Sequence, residues 1–173
     1  MSSIGKGFQV IDDFVFPDGK CLKFTQEAKG LAREISSNVY ISVPEIDIDG
    51  KRPINPLQYK AIWDTGATAS VITNKVAEDL SLIVTGIRKI FTVGGICEAI
   101  EHRLDLWLPN NTCISEMPVV RGYIPEEFGM LIGLDIMVMG DFAFTNYQGK
   151  SMFSFRMPSI GHIDFTDYEE TKL

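Results

Sequence analysis

Few side chains in this sequence are placed to do chemistry, and one stands apart. The cysteines are Cys21, Cys97 and Cys113, an odd number with no metal-ligand spacing. The histidines are His102 and His162. Cys97 and His102 sit five apart in one strand-like run, so a regular strand puts them on opposite faces. Asp47-Ile48-Asp49-Gly50 lacks the further acidic ligands of a calcium loop and reads as a turn. Asp64 is different. Ala61-Ile62-Trp63 leads into it, Thr65-Gly66-Ala67-Thr68 follows, and Ala69-Ser70-Val71-Ile72-Thr73 resumes an apolar run. The pattern is strand, tight loop, strand, with an acid at the apex. Such an acid can simply cap a turn, with glycine supplying the unusual backbone. It can also be half of an acid–base pair of carboxylates. No other Asp is followed by Thr-Gly or Ser-Gly, and Asp18 and Asp49 precede Gly directly. A pair would therefore need a second copy of the chain.

The surrounding elements must position that loop. Phe8 to Phe16 and Cys21 to Phe24 read as strands around a Pro17-Asp18-Gly19-Lys20 turn. Thr25 is expected to cap a helix reaching about Ile35, with Ala28, Leu31, Ala32 and Ile35 on one face. Ser36-Ser37-Asn38 reads as a linker. Val39 to Ile48 alternates in part, and Asp47 to Lys51 reads as a hairpin turn. After the Asp64 loop, Thr73 or Asn74 can cap a helix over Lys75 to about Leu82, with Val76, Ala77 and Leu80 inward. Two strands, Ile83 to Val93 and Cys97 to Leu108, flank Gly94-Gly95 as a hairpin. Ile114 to Val120 is a strand whose Pro118 implies a bulge or an edge. Met130-Leu131-Ile132-Gly133-Leu134-Asp135 runs from apolar strand through glycine into a short helix that Gly140 can close. Met130, Leu131, Met137, Val138 and Met139 are expected in the core. A last hairpin pairs Phe142 to Asn146 with Ser151 to Met157. The class is all-β with one or two short helices.

At 173 residues the chain is one domain with extensions. The expected division is an N-terminal extension over 1–38, a main domain over 39–158 and an acidic tail over 159–173. A net charge of −7 and a sequence pI of about 4.8 argue against a nucleic-acid surface. No stretch reaches the roughly 18 apolar residues of a membrane span. The N-terminus lacks a signal-peptide apolar segment. With unpaired cysteines, this points to the cytoplasm.

The order Asp64-Thr65-Gly66-Ala67-Thr68, glycine hairpin, Leu131-Ile132-Gly133-Leu134-Asp135 resembles the retroviral-type (retropepsin-like) aspartic proteases. The resemblance covers about residues 39 to 158. It implies a retropepsin-like closed β fold and an aspartic endopeptidase working as a homodimer on protein or peptide substrates, with no cofactor or metal. Asp64 matches the catalytic aspartate. Thr65 matches the threonine that bonds across the dimer, and Gly66 the glycine that lets substrate backbone approach. Ile132-Gly133 matches the stretch under the catalytic loop. Val93, Gly94 and Gly95 fall where the family carries a mobile flap, although a plain hairpin turn explains them equally well. Ala67, Thr68, Val93, Gly94, Gly95 and Ile132 are the expected substrate-side residues. Retroviral members usually carry an acid at Thr68 and an arginine at Leu134, which pair. Both are absent here, as in the cellular and bacterial branch. Trp63 is larger than the usual residue before the aspartate. The extension over 1–38 has no counterpart and bears on the usual seam of interleaved termini; its polar linker also allows a self-removed segment.

The implied chemistry is peptide hydrolysis by water held between two Asp64 carboxylates. The rival function is a retropepsin-like module that dimerises or binds peptides with little or no turnover.

Overall fold

The computed structural model describes residues 9–15, 22–44, 56–92, 94–110, 112–164 and 166. Its strands are β1 (Gln9–Val15), β2 (Leu22–Glu27), β3 (Ile35–Ser42), β4 (Leu57–Trp63), β5 (Val71–Ile72), β6 (Gly86–Thr92), β7 (Gly95–Trp107), β8 (Cys113–Arg121), β9 (Met130–Ile132), β10 (Asp141–Tyr147) and β11 (Lys150–Met157). Two short helices, α1 (Asn74–Asp79) and α2 (Leu134–Met137), interrupt them. Among the described residues no helix is long and apolar enough to cross a membrane.

The larger sheet runs β3-β4-β9-β5-β8-β7-β6, and β3 also pairs with β7, so the sheet closes on itself with β6 appended. The expected closed, all-β architecture with short helices is what the chain adopts. β9 lies between β4 and β5, parallel to the first and antiparallel to the second. The loop from β4 to β5 therefore has to pass over the end of β9. That crossing is where Asp64 sits.

The smaller sheet runs β1-β2-β11-β10. Phe24 of β2 and Phe153 and Phe155 of β11 face the larger sheet and join one continuous core with Val39, Ile41, Trp63, Ile132 and Ile136. Thr25 and Ser154 bond each other across the strands on the opposite face.

Several local expectations hold. Thr73 caps α1, its hydroxyl accepting from the Val76 N–H at 3.2 Å, and Val76 and Ala77 are buried. The β10–β11 turn places Gln148 and Gly149 at φ 49° and 76°, the left-handed pair that suits a tight hairpin. The irregularity expected near Pro118 is present. The β7–β8 register shifts between Leu104 and Leu106, Glu116 takes φ 52°, and its N–H bonds the Asp105 carboxylate at 2.8 Å. Met130 and Met137 are buried as expected, whereas Val138 and Met139 are exposed.

Two expectations for the N-terminal region also fail. Residues 25 to 35 do not form a helix. Phe24, Gln26 and Ala28 are buried while Leu31 is exposed, so the burial period is two. Pairing with β11 overrides helix propensity, and the Ala28 N–H and Gly30 carbonyl bond the backbone of Ser151. Ser36-Ser37-Asn38 is no linker either. It lies in β3, and Ser36 and Ser37 are buried. The turns expected at 17–20 and 47–51 lie outside the described residues.

Candidate active site

The Asp64 loop is fixed from below. Its backbone N–H donates to the Ile132 carbonyl at 2.9 Å, extending the β4–β9 ladder by one step. Leu134 N–H then donates to the Ala67 carbonyl at 2.8 Å. Gly133 lies between these two bonds. A Cβ there would stand 2.9 Å from the Ala67 oxygen and from Ala69 backbone atoms, so only glycine lets the two loops touch. Ile132 is fully buried, and its place is under the loop rather than on its surface.

The carboxylate itself is held at one oxygen. Gly66 N–H donates to Asp64 Oδ1 at 2.8 Å, and Ala67 N–H to the Asp64 carbonyl at 3.2 Å. Asp64 is half-buried, while Thr65, Gly66 and Thr68 are exposed and Ala67 is half-buried. A Cβ on Gly66 would come within 3.1 Å of Asp64 Oδ1, so glycine keeps that oxygen uncrowded. The Thr65 hydroxyl bonds to no described residue.

Two supports escaped sequence reasoning. The first is Asp135. Its Oδ2 accepts from Ser70 N–H and its Oδ1 from Ser70 Oγ, both at 2.7 Å. Ser70 Oγ in turn accepts from Gly133 N–H at 3.0 Å. Ser70 is fully buried, so this charge-assisted set replaces water at the crossing. It adds a side-chain link to the backbone bonds that join the two stretches. The available signal was a Ser and an Asp, one in each of the two matched stretches.

The second is the packing of Trp63, the residue before Asp64. Its ring lies 5.0 Å and 5.1 Å from those of Phe153 and Phe155, and 6.0 Å from Phe24. Its Nε1–H donates to Ser37 Oγ at 2.9 Å inside the core. The large residue fits because the N-terminal strand β2 supplies Phe24 and β3 supplies the acceptor.

Farther along β4, Tyr59 lies across Gly129, where a Cβ would be 2.6 Å from its ring. Its hydroxyl donates to Asp79 at 2.9 Å, tying β4 to α1. Burial, then this bond, pushes the Tyr59 phenol well above its ordinary range. Bonds from Lys75 and then Tyr59 hold the Asp79 carboxyl low.

The glycine hairpin is formed by β6 and β7, paired from Gly86↔Glu101 to Thr92↔Gly95. Gly94 and Gly95 are at its tip, Gly95 at φ 114°, and Val93 lies outside the described residues. The structure brings Asp64, Gly66, Ala67 and Ile132 together, and Gly94 and Gly95 belong to the β6–β7 hairpin. Cys97 is exposed and His102 buried with Nδ1 2.8 Å from the Ile83 carbonyl oxygen, which rules out a thiol–imidazole pair.

Among solved structures, a retropepsin-like aspartic protease from Rickettsia conorii matches with a TM-score of 0.50 at 13% identity, over 80% of this chain and 94% of that one. The fold is retropepsin-like. EIAV protease, solved with the inhibitor HBY-793, matches at a TM-score of 0.42 and 22% identity, over 62% of this chain and 88% of its own. No protein-family model and no curated protein matches the sequence. Within this retropepsin-like fold, the β4–β9–β5 crossing carries Asp64, and β1–β2 completes the sheet that buries Trp63.

Proposed function

We propose that this chain is an aspartic endopeptidase, active as a homodimer in which two Asp64 carboxylates face each other. The observation that supports it is the state of Asp64: a half-exposed carboxylate, bonded at one oxygen, on a loop whose other parts are pinned to the core. Two carboxylates about 3 Å apart cannot both ionise, so they share a proton. The ionised one takes a proton from a water molecule as the water oxygen attacks the peptide carbonyl carbon. The protonated one supplies a proton as the C–N bond breaks, and the products leave as acid and amine. The titration belongs to the pair. Thr65, exposed at the rim, is the residue to bond across the twofold. Ala67 and Thr68 flank an extended peptide, and Gly94-Gly95 closes over it as a flap.

Asp64→Asn tests this. A folded variant is expected to lose peptide cleavage by at least about 10²-fold. Cleavage at the wild-type rate would overturn the reading. Tight peptide binding by the wild type without any product, across pH, would favour a binding module instead.

A further inference from the structure

The sheet edges of this molecule are not alike. An edge strand offers unpaired N–H and C=O groups, and proteins blunt such strands with charges, prolines or bulges. The larger sheet ends at β6, whose centre carries Arg88 and Lys89. The smaller sheet ends on one side at β1, which holds Asp12 and Asp13 and breaks register against β2 between Val10 and Asp12. Its other edge, β10, has no such device. It pairs with β11 without a break from Asp141↔Arg156 to Tyr147↔Lys150 and contains no Lys, Arg or Pro. Its one charged residue, Asp141, is at the end and is engaged by Arg156 Nε at 2.7 Å, Ser159 Oγ and Ile160 N–H. Among the described residues no strand pairs with the outer side of β10. Phe142 and Phe144 share a face with the buried Phe155 and Phe153 yet remain 39% and 37% exposed.

We propose that the outer edge of β10 is the seam where a second copy of this chain docks, antiparallel, β10 against β10. This deepens the reading of Asp64 as half of a pair and rests on it. A twofold axis needs a self-complementary patch. With the axis at Phe144, Asp141 faces Tyr147, Phe142 faces Asn146 and Ala143 faces Thr145, so no like charges meet. The seam is also continuous with the Asp64 loop by two routes. β10 follows directly on α2, whose first N–H holds Ala67. β11, the partner of β10, packs Phe153 and Phe155 on Trp63. β11 has β2 and β10 on its two sides, so it offers no place for a partner's strand.

The full chain carrying Phe144→Lys or Phe144→Glu tests the seam by sedimentation, with circular dichroism as the check on folding. Wild type is expected to sediment as a dimer of 19.3 kDa chains. Each charged variant is expected to sediment as a monomer, and an equimolar mixture of the two to recover the dimer. Phe144→Cys is a milder second variant. Paired Cα atoms across an antiparallel twofold lie about 4.5–5.5 Å apart, which suits a disulfide. It is expected to form a covalent dimer on mild oxidation that wild type, with its own cysteines, does not. Charged variants that stay dimeric, or a Cys variant that crosslinks no better than wild type, overturn the seam. So does a wild type that is monomeric at every concentration, with the edge covered by its own tail or by another protein. Peptide cleavage is read separately. Asp64-dependent cleavage with dimers insensitive to residue 144 sinks the seam alone. The expected dissociation and crosslinking without any Asp64-dependent cleavage support the seam and sink the peptidase.

Discussion

The Asp64 loop and the glycine hairpin are both turns between strands, yet they are held in opposite ways. The Asp64 loop lies over β9 and is bonded to Ile132, Leu134 and, through Ser70, to Asp135 and Gly133. The hairpin arms pair with each other over 86–92 and 95–101, with β7 pairing to β8 from Glu101 onward, and Ile87, Phe91 and Ile96 are 70%, 85% and 64% exposed. A group that must meet its twin to within a fraction of an ångström needs the first environment. A segment that must admit and release a chain needs the second. On the proposed peptidase reading, the first environment suits positioning of the carboxylate and the second suits access of a substrate. Mutations in the two should therefore separate stability from substrate binding.

The largest effect is expected at Trp63. Trp63→Ala removes a buried ring from among Phe24, Phe153 and Phe155 and leaves Ser37 without its donor. A loss of about 3–5 kcal/mol is expected, read by chemical denaturation. A loss below about 1 kcal/mol would mean that the small sheet does not support the loop, and the comparison would fail on its firmer side.

Asp135 comes next. Asp135→Ala leaves the buried Ser70 N–H and hydroxyl without their acceptor, at a cost of about 1–3 kcal/mol. Because Ser70 closes the loop that begins at Asp64, kcat of the proposed peptidase should fall while KM changes little, and Asp135→Asn should recover part of both losses. An Asp135→Ala protein that keeps the wild-type kcat would show that the brace holds the fold without aligning the carboxylate.

How much of this was legible in the sequence follows the same division. The Asp64 loop was readable because its needs are local: an apolar lead-in, an acid, and a glycine where a Cβ would crowd the carboxylate. α1 and the last hairpin were readable for similar reasons, a threonine cap and a Gln-Gly turn. The N-terminal region was misread because its determinants lie far away in the chain. Residues 25 to 35 look helical until β11 supplies partners for them, and Ser36-Ser37 looks like a linker until Trp63 requires an acceptor. Trp63 itself appeared only as an oversized residue, since Phe24 and Phe155 are distant in sequence. Asp135 was within the matched stretch and was given no role, because its partner is on the other loop. With Phe24 in the core beside Trp63, β2 belongs to the support of the Asp64 loop.

The smallest change in stability is expected on the hairpin. Phe91 is 85% exposed and stands opposite Ile96 in the β6–β7 pairing. Phe91→Ala removes little buried surface, so unfolding should shift by no more than about 0.5 kcal/mol. If the hairpin closes on substrate, the same ring would be covered only in the complex, and its loss would appear as a raised KM with the dimer intact. Combined with Trp63→Ala, the two stability effects should add to within about 0.5 kcal/mol, because the sites share no partners. A Phe91→Ala protein that is markedly less stable would place that ring against structure in the free protein. The hairpin would then belong with the fixed half of the molecule. A protein unchanged in both stability and KM would leave Gly94-Gly95 a turn without a substrate.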